Sequence, residues 1–344
     1  MVLSMTIFGF IISLMTILQL EMLHNSLPYK TKQFFFVLIK LSIVIGAGYF
    51  IYEKLAKNDT LSFSSFIQFT SKNGVFTLKN ILFLMILSFF NWFLEILKWQ
   101  LLVNSVHKIN FKNALAQSLG ALTASLFTPN RIGEYGAKAI YYIPSLRKKI
   151  MLTNLISNML QMSVTVLFGI FGFVLFVSKY EVSIDYYKIT RFTLISILVI
   201  IFASLGIKQN RFKIKGFSIQ KLKTFVITFP KSKLLYGFIL SLLRYMIFSF
   251  QFFFILQLFK VNLSYFEAMT IITSMYLISS VIPSIFIFDV IIKGSVAIFL
   301  FSFLYIAPIT IVCTVTLMWL SNFAIPSCLG SFYVLNFKLP KTNK

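Results

Sequence analysis

Glu134 with Lys138, and again Asp289 with Lys293, are acid and base four residues apart inside apolar stretches, each pair shortly after a proline, Pro129 or Pro283. Arg131 stands between the first proline and its acid. A charge near the centre of a bilayer costs at least about 2.5 kcal/mol on insertion scales, so charged residues there pair, line water or act on a substrate. Two chemistries are open. Each pair has the favourable acid-first order on one helix face and can neutralise itself. Alternatively, three cations (Arg131, Lys138, Lys293) against two carboxylates leave one positive charge for an anion. Arginine matches phosphate as a bidentate fork, and lysine acts as a movable point charge. Glu134 and Asp289 would then hold the lysines or exchange protons; in an enzyme they are the only plausible general acids or bases.

Other polar residues interrupt apolar runs with helical spacing. Arg244 and Gln251 are seven residues apart, roughly on one helix face, and Asn91, Glu95 and Lys98 are spaced similarly. They suit hydrogen bonds between helices or a hydrophilic furrow. His24 and His107 lie in no cluster with metal-ligand spacing. Cys313 and Cys328 are 15 residues apart in one apolar run. On a helix that is about 22 Å, too far for a disulfide. No metal, cofactor, Gly-rich nucleotide loop or Ser/His/Asp arrangement is expected.

The elements that must position these residues are membrane helices. Of the 344 residues, 58% are hydrophobic and only 12% charged, against roughly 25% charged in soluble domains. The class is an all-α polytopic membrane protein, which excludes soluble enzyme folds. The excess of 23 positive charges lies mostly between apolar runs, as loop charge does, and does not form a nucleic-acid face. Spans are predicted at 3–20, 34–51, 80–102, 151–177, 192–207, 234–258 and 308–336, six or seven crossings in a single domain covering 1–344. Residues 1–21 are either an extra helix or an extension upstream of Met22.

Two further apolar regions, 113–142 and 266–305, break at Pro129 and Pro283 beside polar residues, which a lipid-facing helix does not tolerate without internal partners. They are predicted as re-entrant hairpins. With that topology the segments 28–33, 98–112, 143–149, 208–233 and 338–344 share one side and hold 19 basic residues, against 8 on the other side. The loop 208–233 and the C-terminus are therefore placed in the cytoplasm.

The two interrupted regions match one another. From Ala114 to Pro129 and from Ala268 to Pro283 is 15 residues in each case, with Ser125 and Ser279 at the same step. The offset is 154, and 155 beyond the prolines; the preceding spans 80–102 and 234–258 share it. Repeat units of about 80–142 and 234–301 entering from opposite faces make an inverted repeat, whose broken helices build a substrate site near the midplane. At the first tip Thr128 can cap, Pro129 suits a first helical turn, and Gly133 admits a close backbone. Pro283 and Ser284 suggest the same at the second tip. Half-helix N-termini there would favour phosphate.

The stretch LFTPNRIGEYGAKA, from Leu126 to Ala139, resembles the Thr-Pro-(Gly/Asn)-x-(Ile/Leu)-Gly-Glu-(Tyr/Phe) hairpin motif of the lysylphosphatidylglycerol synthase/flippase transmembrane family. Lys98-Trp99-Gln100-Leu101-Leu102 is similar to the family's basic-Trp-x-Leu-Leu stretch. The resemblance implies functional positions at Thr128, Pro129, Arg131, Gly133 and Glu134. The second hairpin, Pro283 to Asp289, lacks the glycines of the family's pattern, and the cytosolic aminoacyltransferase domain of its large members is absent from these 344 residues. Lysyl transfer by this chain alone is therefore not expected.

The leading expectation is an inner-membrane lipid transporter or flippase. A phosphate-bearing headgroup would be held by Thr128, Pro129, Asn130, Arg131, Gly133, Glu134, Lys138, Arg244, Pro283, Ser284, Asp289 and Lys293. Its partners are membrane lipids with anionic or phosphate-bearing headgroups, not nucleic acid. The alternatives are a membrane transferase acting on a lipid or glycan carrier, and a small-solute or ion carrier.

Overall fold

The computed structural model describes residues 41, 42, 45, 63–75, 77–126, 128, 133–180, 219–281 and 289–340. The spans expected at 3–20 and 192–207, nearly all of 34–51, and residues 208–218 of the basic loop 208–233 lie outside the described residues. Among those described there are helices and no strands: α1 (Phe63–Lys72), α2 (Leu78–Val103), α3 (Phe111–Ser125), α4 (Gly133–Ala139), α5 (Pro144–Tyr180), α6 (Ile219–Thr228), α7 (Lys231–Leu258), α8 (Tyr265–Val281), α9 (Asp289–Ser302), α10 (Pro308–Trp319) and α11 (Ile325–Leu335). A π-helical turn, Leu320–Ala324, joins α10 to α11. Among the described residues, four stretches are long and apolar enough to cross a membrane: α2, α5, α7, and α10 with α11 as one span.

Local chemistry sets the boundaries. Asn110 caps α3, its side chain accepting from the Asn113 amide at 2.9 Å. Pro308 at the first helical position opens α10, where a missing amide hydrogen costs nothing. The first interrupted region consists of two shorter helices, α3 ending at Ser125 and α4 starting at Gly133; in the second, residues 282–288, between α8 and α9, lie outside the described residues. The first break is stitched by Thr128, whose hydroxyl donates to the Ser125 carbonyl at 2.8 Å and accepts the Gly133 amide at 3.0 Å. A Cβ on Gly133 would come within 2.9 Å of the Thr128 methyl, so glycine admits that approach.

The π turn follows from Pro326. Proline supplies no amide for the carbonyl four residues back, that of Asn322. The freed oxygen accepts the Trp92 indole N–H at 2.9 Å instead. A helix irregularity thereby ties α10–α11 to α2.

α2 and α7 pack closely along their lengths and run antiparallel. Leu102 meets Gly237, Glu95 meets Arg244, and Ser88 meets Gln251. α5 lies against α8, and α11 lies against α3. Both of these contacts use a glycine. A Cβ on Gly169 would strike the Leu277 side chain and approach the Thr273 carbonyl, and one on Gly330 would strike the Leu119 carbonyl and the Thr123 hydroxyl. The apolar core sits mainly in the later half, among residues of α7, α8, α9 and α10 such as Phe252, Ile271, Phe301 and Met318.

Candidate functional site

One face of α2 carries Asn91, Glu95, Lys98 and Trp99, all buried. Their steps of four, three and one residues keep them on the inward side over about 12 Å of helix. Glu95 Oε2 accepts Lys98 Nζ at 2.8 Å and Arg244 Nη1 of α7 at 2.7 Å. Arg244 Nε also donates to Asn91 Oδ1 at 2.9 Å, and Nη1 reaches Gln161 Oε1 of α5 at 3.4 Å. One carboxylate thus draws α2 and α7 together.

Toward the α2 C-terminus lies a second, linked group. Lys138 Nζ donates to Glu134 Oε1 at 2.7 Å and to Asn154 Oδ1 at 2.8 Å, and stands 4.2 Å from the centroid of the Trp99 ring. Carboxylate, amide and aromatic face together replace water around a fully buried ammonium. Trp99 is fixed in turn, its Nε1 donating to Gln117 Oε1 at 2.8 Å, the same oxygen that accepts the Tyr142 hydroxyl at 2.9 Å. Lys138 is close enough to act electrostatically on both Glu95 and Lys98. The two groups therefore form one charge cluster, with Lys98, Lys138 and Arg244 against Glu95 and Glu134. Among the described side chains it carries one positive charge in excess.

From Asn91 the hydrogen bonds continue deeper. Asn91 Nδ2 donates to Asn322 Oδ1 at 2.8 Å, Asn322 Nδ2 to Gln251 Oε1 at 2.9 Å, and Gln251 Nε2 to Ser88 Oγ at 3.0 Å. Asn322 lies in the π turn, next to Phe323, whose ring centroid is 5.8 Å from Lys293 Nζ.

A family model described as the lysylphosphatidylglycerol synthase TM region matches residues 37–330. The chain belongs to this family. No curated protein and no solved structure matches it. Lys98, Trp99 and Glu134, which carry the sequence resemblance, all lie in this cluster, where Trp99 and Glu134 contact Lys138 and Lys98 pairs with Glu95.

Of the residues expected from sequence, Glu134, Lys138 and Arg244 belong to this cluster. Thr128 and Gly133 build the α3–α4 junction beside it, and α4 starts four residues after Pro129, its first amide already satisfied by Thr128. Lys293 is half-buried on α9. Asp289 is the first residue of α9, and its side chain lies outside the description, as do Pro129, Asn130, Arg131, Pro283 and Ser284. Lys98, counted from sequence among the loop charges of 98–112, is inside α2 and buried, because the helix continues to Val103.

In this lysylphosphatidylglycerol synthase-type chain, sequence reasoning missed Trp99, Gln117, Asn154, Gln161 and Asn322 as site residues. The available signal was the same for all five: a hydrogen-bonding side chain amid apolar neighbours. Three buried polar atoms near these elements, Asn154 Nδ2, Ser157 Oγ and Ser118 Oγ, have no partner among the described residues. Such atoms take water or ligand oxygen.

Proposed function

We propose that the chain moves a phosphate-bearing lipid across the inner membrane, the headgroup passing along the polar cluster while the acyl chains stay in the bilayer. The observation that carries this reading is the composition of the cluster: three buried or half-buried cations against two carboxylates, inside a bundle of membrane helices. A purely structural ion-pair network has no use for the surplus cation, whereas a phosphate diester supplies the missing negative charge. Arg131 and Lys293 add to the positive field on the same reading.

The architecture supports alternating access by an inverted repeat. Helices that match at an offset of 154, α2 and α7, are antiparallel neighbours. The contacts also exchange: α5, which follows the first unit, packs on α8, and α11, which follows the second, packs on α3. The contact residues correspond as well, since Leu119 and Thr123 beside Gly330 stand 154 before Thr273 and Leu277 beside Gly169. In this reading the α3–α4 and α8–α9 pairs are re-entrant hairpins. The end of the bundle bearing Lys108, Lys112, Arg147, Lys231 and Lys233 faces the cytoplasm.

Proteoliposomes holding the purified full chain and a headgroup-labelled phospholipid test the proposal. Translocation is expected, and its loss in Arg131→Ala. A protein that moves no phospholipid, with the deletion strain lacking a modified lipid, would favour the transferase reading.

A further inference from the structure

We infer that Arg244 is the headgroup-sensing residue: an incoming phosphate oxygen competes with Glu95 for its guanidinium and so releases the tie between α2 and α7. This deepens the proposed transport reading and rests on it.

Four observations lead here. Of the three cations, Lys98 and Lys138 have side chains only 1% exposed, whereas that of Arg244 is 20% exposed. A phosphate can reach the third without dismantling the bundle. Arg244 also spends only Nε and Nη1 on protein; among the described residues Nη2 donates to nothing. A guanidinium offers two parallel donors to a phosphate, and half of that fork is idle. Next, Glu95 Oε2 is shared by Lys98 and Arg244. If Arg244 leaves, the carboxylate keeps Lys98 at 2.8 Å, so departure abandons no unpaired buried anion. Finally, Arg244 is on α7 and all its short polar contacts are on α2 and α5, which makes it a cross-link between the repeat units. Freeing it separates the halves where alternating access requires movement.

The carboxylate is therefore a competitor of the ligand, and this predicts an effect of opposite sign from a structural role. Glu95→Gln removes the competing negative charge, so phosphate binding tightens by about tenfold or more, while transport falls because the arginine no longer returns to its tie. Arg244→Gln loses the binding.

Titrations use the full chain in detergent with short-chain phosphatidylglycerol, inorganic phosphate and short-chain diacylglycerol. Because Glu95→Gln leaves Lys98 without its carboxylate, the double variant Glu95→Gln/Lys98→Met is measured beside it; it frees Arg244 and restores the surplus of one. Tighter phosphatidylglycerol binding in either folded variant, absent for diacylglycerol, supports the inference. An equal gain for inorganic phosphate identifies the phosphate group itself as the ligand, and a gain for the lipid alone identifies the whole headgroup. Unchanged or weaker binding in both variants, with wild-type binding and transport intact, overturns the sensing role and leaves lipid transport standing. A wild-type protein that neither binds nor moves phospholipid overturns both.

Discussion

Lys138→Met is the sharpest test of whether the α4 ion pair serves folding or substrate. The substitution keeps the length of the side chain and deletes the ammonium, with its 2.7 Å bond to Glu134, its 2.8 Å bond to Asn154 and its position over Trp99. Breaking a buried pair by removing one partner costs about 3–5 kcal/mol, mostly for the charge left behind. The Glu134 side chain is 8% exposed, which places the expected loss at the lower end, about 3 kcal/mol. In Lys138→Met/Glu134→Leu neither charge remains, and replacing a buried pair with apolar groups of similar volume is often neutral, so stability should return to within about 1 kcal/mol of wild type. Unfolding of the full chain with rising SDS mole fraction, followed by circular dichroism, reads both values. Lipid translocation in proteoliposomes, measured on the same two proteins, should remain lost in the double variant. If the double variant regains both stability and transport, the pair is a structural neutraliser and the cluster loses its functional meaning. If the single variant loses less than about 1 kcal/mol, Lys138 does not occupy a dry pocket.

Two packing predictions follow from the helix contacts. Gly330→Ala drives a methyl into the Leu119 carbonyl and the Thr123 hydroxyl, which itself donates to the Ser327 carbonyl at 2.8 Å; a loss of about 1–3 kcal/mol in the same SDS unfolding assay is expected. Asn322→Leu strips partners from Asn91 and Gln251 and should cost about 1–3 kcal/mol. Asn322→Leu should also loosen α2 against α10–α11, seen as faster amide exchange in 84–95.

Much of the architecture was legible because a bilayer permits few solutions. Apolar length gave α2, α5, α7 and α10–α11 to within a few residues, apart from the extra turns that carry α5 from Pro144 to Tyr180. Pro129 beside polar residues marked the break between α3 and α4; the break expected at Pro283 falls outside the described residues. The site was only partly legible, for a physical reason: a single polar residue in an apolar run has no periodic pattern, and its partner is chosen by tertiary packing. Glu134 and Lys138 could be paired from spacing alone, since i and i+4 share a face. Asn322 could not be joined to Asn91 across 231 residues of separation, nor could Pro326 be seen to free a carbonyl for Trp92. Lys98 misled for a related reason: near the end of an apolar run, loop charge and buried charge look alike until a carboxylate is found beside it.

The proposed duplication would also account for the lopsided cluster. Counted by the offset of 154, Lys98 corresponds to Phe252, Trp99 to Phe253, Glu95 to Ser249 and Gln117 to Ile271. Phe252 and Ile271 belong to the apolar core of the later half, so the same backbone positions that house charge in one unit house packing in the other. Two equally polar units would place twice the desolvation cost inside the bilayer and leave neither half rigid. On the proposed transport reading, with charge concentrated in the first unit and close packing in the second, the second acts as the fixed body against which α2, α3 and α4 move. Arg244 then has a distinct place in this division. On that reading it is the charged residue of α7 that reaches into the polar cluster, and its shared carboxylate is the point at which a ligand sets the halves free.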